Sequence, residues 1–261
     1  MSKIKMIVTD LDNTLFTDSK EVSEYTLATI HACMEKGIKF VPATARALRV
    51  LERFNFPNLI SYDALICLNG SMIYLEHKLV YHEGISQEEL SEFLPVLLEK
   101  YGDQRISIEI GGIFYANHNV SEVDPYDKDY IVCDLQDIPD KTTKIDRIIM
   151  SLENPDNITE IQAILPNFLY AHTVSDSPIC RILHKNVTKA NAIKQLCEQW
   201  SISPGEIVAF GDDQNDMEMF ELCGTTVAMD NAIPELKSIA THITESNEED
   251  GVAHWLTKNI L

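Results

Sequence analysis

Two aspartates one residue apart, Asp10 and Asp12, close the apolar run Met6, Ile7, Val8 in the stretch MIVTDLDNTLF. Carboxylates this close repel, and burial makes ionising both harder still. A hard cation removes the conflict, because Mg²⁺ takes a few carboxylate oxygens while keeping waters and binding phosphate. Three further stretches carry side chains of matching chemistry: Thr44 and Arg46 in PATAR, Lys189 in NVTKANAI, and Asp212, Asp213 and Asp216 in FGDDQND. Acids around a cation, a lysine adding positive charge, and a threonine with neighbouring backbone N–H groups to hold phosphate oxygens suffice for phosphoryl transfer. Taken singly, each has a plainer reading. The aspartate pair could be a turn, a helix cap or a calcium loop, Lys189 a solvated surface lysine, Thr44 a cap, and GDDQND a loop before an acid-favouring helix N-terminus.

Their placement favours the joint reading. Ligands of open α/β sheets bind outside the carboxyl ends of the strands, and each stretch stands at such an end or at the mouth of a helix. Ile4–Val8 reads as a buried strand, SEYTLATIHACMEKG as a helix stopped by Gly37, IKFVPAT as the next strand, RALRVLERF as a helix and DALICLNG as a third strand. After the middle of the chain the alternation resumes: KANAIKQLCEQW helical, EIVAFGD a strand, NDMEMFELC helical, GTTVAMD a strand, then AIPELKSIA and GVAHWLTKNIL as helices around the short run THIT. Alternation of this kind implies a doubly wound, mostly parallel, Rossmann-like α/β sheet. The intervening stretch reads differently. SQEELSEFLPVLLEKYG is a helix that Pro95 bends or divides, and RISIEI and IFYA flank Gly111–Gly112 as a hairpin. KIDRIIMSL, FLYAHTV and ICRILH read as strands, and NITEIQAIL as a helix. The expected organisation is a core of residues 1–83 and 186–261 with an inserted α+β domain at 84–185.

Composition bounds the partners. The chain has 261 residues, 21 basic against 41 acidic, for a formal charge of −20. Nucleic acid and anionic membranes reward basic surfaces, so neither is expected as a partner. An anionic substrate would need a locally built site. Six cysteines without a C-x-x-C pair read as reduced, mostly buried thiols of a cytoplasmic protein. No uninterrupted apolar run is long enough to span a bilayer, and Asp10 and Asp12 interrupt the apolar stretch a signal peptide would need.

VTDLDNTL, ATAR, the lysine of VTKANAI, and GDDQND resemble the four motifs of the haloacid dehalogenase superfamily of phosphohydrolases. The insert, with LNGSMIY before it and DGVAHWL near the end, resembles the Cof-like sugar-phosphate phosphatase branch and its C2B-type cap. The resemblance covers essentially the whole chain. It implies a Mg²⁺-dependent phosphatase acting on small phosphorylated metabolites, sugar phosphates among them, with a cap that opens and closes.

On that resemblance Asp10 is the nucleophile that forms an aspartyl phosphate, and Asp12 the general acid and then the base. Asp10, the Asp12 backbone carbonyl and Asp212 ligate Mg²⁺, while Asp216 orients ligand waters or the lysine. Thr44, Ala45, Lys189, Asn215 and the Leu11 backbone N–H hold phosphate, and Asp213 is structural. Asn13 and Ala45 stand where the family usually has glycine, and Asn13 tolerates the left-handed backbone such a loop requires. A phosphomutase of the same superfamily and a receiver-like phospho-acceptor module remain as alternatives. Asp12 separates the hydrolase from the receiver, since it supplies the acid and base that turn the phosphoenzyme over. Arg181 and His184, on the last strand of the insert, read as exposed strand residues, with contact to a sugar hydroxyl or a second phosphate as the alternative. His118 and His172 carry no assignment.

Overall fold

The computed structural model describes residues 3–122, 129–138, 144–152, 154, 157–173 and 178–261. The chain divides into two compact units, Met1–Tyr81 with Thr188–Leu261, and His82–Val187.

The first unit starts with β1 (Met6–Thr9), buried at every position, as parallel strands covered on both faces are. Asn13 in the following turn sits at φ 58°, the left-handed conformation expected of it. α1 (Glu24–Glu35) begins where the Ser23 hydroxyl accepts from the Thr26 N–H at 3.0 Å. β2 (Lys39–Pro42), α2 (Leu48–Arg53), α3 (Phe56–Leu59), β3 (Leu65–Cys67), β4 (Met72–Leu75) and β5 (Lys78–His82) follow. β3 departs from the expected third parallel strand. It touches the β2 side through the single parallel bridge Ala43–Ile66, and otherwise pairs antiparallel with β4 in a small sheet ordered β3-β4-β5. The cause is the turn after it. Leu68, Asn69 and Gly70 all have positive φ (51°, 57° and 104°) and reverse the chain at once.

The second unit opens with α4 (Gln87–Tyr101), started by a reciprocal capping box. Ser86 Oγ accepts from the Glu89 N–H at 3.2 Å, and the Glu89 carboxylate accepts from the Ser86 N–H at 2.7 Å. Leu90, Phe93, Leu94 and Leu97 make its buried stripe, and the helix is one element through Pro95 rather than two. β6 (Ile106–Ile110) and β7 (Ile113–Ala116) form the expected hairpin, with Gly111 and Gly112 at φ 58° and 87°, as a two-residue primed turn requires. β8 (Tyr130–Val132) is short and has no clear sequence signal. β9 (Arg147–Ser151), α5 (Ile158–Ile164), β10 (Leu169–Thr173) and β11 (Ile179–His184) complete a sheet ordered β10-β11-β9-β6-β7-β8. The strand expected over 168–174 ends at Thr173, and Val174 lies outside the described residues. Ile106, Ile108, Ile148, Met150, Cys180 and Ile182 share one core with the buried stripe of α4.

The chain then returns to the first unit with α6 (Lys189–Trp200), β12 (Ile207–Gly211), α7 (Met217–Leu222), β13 (Thr225–Ala228), α8 (Pro234–Ile239), β14 (His242–Ile243) and α9 (Gly251–Asn259). The principal sheet is parallel throughout and ordered β14-β13-β12-β1-β2. α9 packs on α1, and α6 on α7. β1 therefore lies between strands from the two ends of the chain. All six cysteines are free, and only Cys133 is not buried. Among the described residues, no helix is long and apolar enough to cross a membrane.

Candidate active site

Register brings the reactive stretches to one rim. Thr9 at the end of β1 pairs with Pro42 of β2 and Phe210 of β12. Parallel strands in this alignment finish together, so Asp10, Thr44 and Asp212 leave the sheet on the same edge. The Asp10 N–H donates to the Phe210 carbonyl at 3.0 Å, which fixes the first aspartate against β12.

Lys189, the first residue of α6, reaches into this rim. The Thr188 hydroxyl caps the helix by accepting from the Asn191 N–H at 3.1 Å, and the Lys189 side chain is fully buried. Its ammonium donates to Asp10 Oδ1 and, at 2.7 Å, to Asp216 Oδ1. Asp216 in turn accepts the Asp212 and Asp213 N–H groups at Oδ2, at 2.9 and 3.2 Å. One carboxylate therefore holds both the lysine and the loop that carries Asp212. Gly211 makes room for it: a Cβ at that position would lie 2.5 Å from Asp216 Oδ2. Asp212 is oriented by the Thr14 hydroxyl, which donates to its Oδ1 at 2.8 Å.

Like charges crowd Asp10, but they come from Asp216 and Asp212 rather than from Asp12. Asp10, Asp212 and Asp216 are all buried against one buried ammonium. Burial pushes the Asp10 carboxyl well above its usual range, Asp216 and Asp212 add to the rise, and Lys189 opposes it. Burial and then Asp216 push Asp212 up to about 7. Burial alone would lower the Lys189 ammonium, but Asp10 and Asp216 outweigh it and hold it above its usual value. One carboxylate oxygen from each of Asp10, Asp212 and Asp216 lies within 4.8 Å of the others, a donor set that fits a hard cation. Asp216 already has both oxygens engaged by Lys189 and the loop N–H groups, so Asp10 and Asp212 are the freer donors.

Asp12 is held apart from that cluster. Arg46 grips its carboxylate through Nε and Nη2, at 2.5 and 2.6 Å, and Lys20 Nζ lies 3.0 Å from it. Burial would raise the Asp12 carboxyl, but the bonds from Arg46 and Lys20 overcome this and hold it below its usual value.

Thr44 and Asn215 meet through a second network. Thr44 is buried, its hydroxyl accepts from the Arg46 N–H at 3.1 Å, and its carbonyl accepts from the Asn69 N–H at 2.9 Å. The Asn69 side chain accepts from Asn215 Nδ2 at 3.0 Å. Leu11 is buried with its carbonyl committed to the Phe16 N–H, and Ala45 is half-buried. Asp213 is exposed, and its side chain accepts from the Gln214 N–H at the start of the turn before α7. Lys20, Thr14 and Asn69 are contributors that motif spacing alone did not single out as site residues, and Arg46, noted beside Thr44, carried no assigned role. The signal for Thr14 was present in D-x-D-x-T, whereas Lys20 and Asn69 depend on left-handed turns that bring them in.

The chain resembles known proteins over nearly its whole length. A model of the haloacid dehalogenase-like hydrolases matches residues 7–256. "Putative phosphatase YxeH" of Bacillus subtilis is 29% identical, covering 98% of each chain. From the same organism, 5-amino-6-(5-phospho-D-ribitylamino)uracil phosphatase YitU is 24% identical over 98% of this chain and 97% of its own. Among solved structures, TM0651 from Thermotoga maritima superposes with a TM-score of 0.83 at 25% identity, covering 99% of this chain and 98% of that one.

Proposed function

The chain belongs to the haloacid dehalogenase-like hydrolase family, and on that premise we propose that it is a Mg²⁺-dependent phosphatase. Its substrates are small phosphorylated metabolites, sugar and polyol phosphates among them. YitU, named for a phosphoribityl compound, supports that class. The observation that carries the reading is the buried cluster in which Lys189 bridges Asp10 and Asp216 beside Asp212.

Asp10 is the nucleophile. Its oxygen bonds to phosphorus as the ester P–O bond breaks, leaving an aspartyl phosphate and an alkoxide that takes a proton from Asp12. Water then attacks phosphorus and gives its proton to Asp12, and Asp10 is released as the carboxylate. The ionised, arginine-held Asp12 of this structure is the form ready to act as base. Its acid form is the one that substrate binding must favour. Lys189 aims Asp10 and offsets charge on the phosphoryl oxygens, while Thr44, Ala45, Asn215 and the Leu11 N–H take those oxygens. Asp10, the Asp12 carbonyl and Asp212 would hold Mg²⁺, with Asp216 orienting its ligand waters or Lys189, and the bound ion would supply neutralising charge to the phosphate. Unit one is the catalytic core, and the insert selects the substrate.

The test is hydrolysis of an aryl phosphate by purified protein with and without Mg²⁺, beside Asp10→Asn and Asp12→Asn. Turnover that needs Mg²⁺ and is lost in both variants is expected, with a fall on the order of 10³-fold or more for Asp10→Asn. Wild-type protein that accepts phosphate from acetyl phosphate and never releases it would overturn the hydrolase in favour of a phospho-acceptor.

A further inference from the structure

One face of the insert's sheet carries charge that the proposed chemistry does not use. Side chains alternate across a sheet, so directly paired residues share a face. Glu109 pairs with Arg147 across β6 and β9, Ile149 pairs with Arg181 across β9 and β11, and Arg181 pairs with His172 across β11 and β10. The result is a polar row, Glu109–Arg147–Arg181–His172, crossing four adjacent strands. It lies on the face opposite the Ile108, Ile148, Met150 and Ile182 core against which α4 packs. Arg181 is therefore a partly buried member of this row, not the exposed strand residue expected from sequence.

The row is unbalanced. Arg147 Nε donates to the fully buried Glu109 at 2.6 Å, and Arg181 leaves a surplus positive charge beside this pair. Among the described residues, Arg181 Nε and His172 Nδ1 are shielded from solvent and have no hydrogen-bond partner. Such orphaned polar atoms are costly unless something satisfies them. The same burial and crowding of positive charge disfavour the protonated forms of the row. Burial and then Arg147 pull Arg181 down to about 10, and burial followed by Arg181 and Arg147 pulls His172 down to about 4. An anion would relieve both. Tyr170, paired with Leu183 on the same face, stacks its ring on His172 at 5.8 Å between centroids and limits where that imidazole can point.

We propose that Arg147, Arg181 and His172 form an anion site on this face of the insert, taking one compact oxyanion, a phosphate or carboxylate group. The guanidinium fork suits a planar or tetrahedral oxyanion, and His172 sets a second donor beside it. The site stands on the insert's own residues. Only the assignment of its anion to a substrate rests on the phosphatase reading. Two sources share the chemistry: a second anionic group on a phosphorylated substrate, or free inorganic phosphate acting as an effector.

The decisive measurement follows the Arg181 Nε–H resonance of the full-length protein, identified by its loss in Arg181→Gln, as inorganic phosphate is added. A saturable shift of that resonance is expected, and its failure to move would overturn the site. Glu109→Gln removes the one negative charge of the row and is expected to tighten phosphate binding by roughly tenfold, whereas His172→Gln weakens it. A merely structural role predicts no tightening in Glu109→Gln. If Arg181→Gln does not fold, Glu109→Gln and His172→Gln decide the matter through their affinity for inorganic phosphate measured by isothermal titration calorimetry. Kinetics then separate the sources. A KM raised about tenfold in Arg181→Gln for a sugar bisphosphate but not for an aryl phosphate identifies a substrate group, and an equal KM for both identifies free phosphate. Wild-type protein inert toward every phosphate ester would remove the phosphatase reading, while the resonance titration would still decide the anion site.

Discussion

Lys189 joins two acids that would otherwise face each other without a counter-charge. Removing one partner of such a buried group costs several kcal/mol, on the order of 3–5, because the remaining charges stay buried. Direct replacement of Lys189 would therefore confuse folding with chemistry, and a gentler probe lies under Asp216. Alanine at 211 would place a methyl 2.5 Å from Asp216 Oδ2 and displace the carboxylate that aims both the lysine and the Asp212 loop. Gly211→Ala is expected to keep its circular dichroism while kcat on an aryl phosphate falls on the order of 10²-fold, the effect of misplacing a positioned group by about 1 Å. Unchanged kcat would show that the position of Asp216 does not matter. Asp10, Asp12, Asp212, Asp216 and Lys189 were legible in the sequence because strand ends and motif order locate them. The grip of Arg46 and Lys20 on Asp12 was not, since it depends on how far two flexible side chains reach.

At the level of elements, the turn Leu68–Gly70 ties β3 to the site. Three consecutive positive φ values, two of them on residues with side chains, are sustained only where the surroundings dictate them. The surroundings here are the start of α6: a Cβ on Gly70 would meet the Thr188 carbonyl at 2.1 Å, directly before Lys189. Gly111, with φ 58°, shares the left-handed backbone but has nothing within 4 Å of its would-be Cβ. Gly111→Ala is thus expected to cost about 1 kcal/mol in urea unfolding, the backbone penalty alone. Gly70→Ala should cost on the order of 3 kcal/mol or more, and equal losses would refute the close approach. The hairpin at Gly111–Gly112 and the helix starts at Ser23 and Ser86 could be read from sequence, because their chemistry is local. The antiparallel turn of β3 could not. Nothing in ALIC distinguishes a strand that continues along β2 from one that reverses after three residues, and the reversal begins at Leu68, whose side chain disfavours the left-handed backbone that Asn69 and Gly70 accept.

Across the whole molecule, against a formal charge of −20, two cations are built into the interior, Lys189 in the first unit and Arg147 in the insert. The doubly wound order was legible because both ends of the chain alternate strand and helix. What alternation could not give was the position of β1, between β2 on one side and β12 on the other, with Thr9 opposite Phe210. That position sets an order of events in time. Contacts distant in sequence form slowly, and chains emerging from the ribosome fold from what has already appeared. The insert has its own core and contiguous sequence, whereas β1 must wait for a strand about two hundred residues later. In refolding followed by pulsed hydrogen exchange, amides of β6 and β9 are expected to gain protection before those of β1, and protection of β1 first would refute the order. A chain broken off just after the insert would hold a folded insert and a β1 meant to be buried at every position but lacking its later neighbour, an open edge of the kind that seeds aggregation.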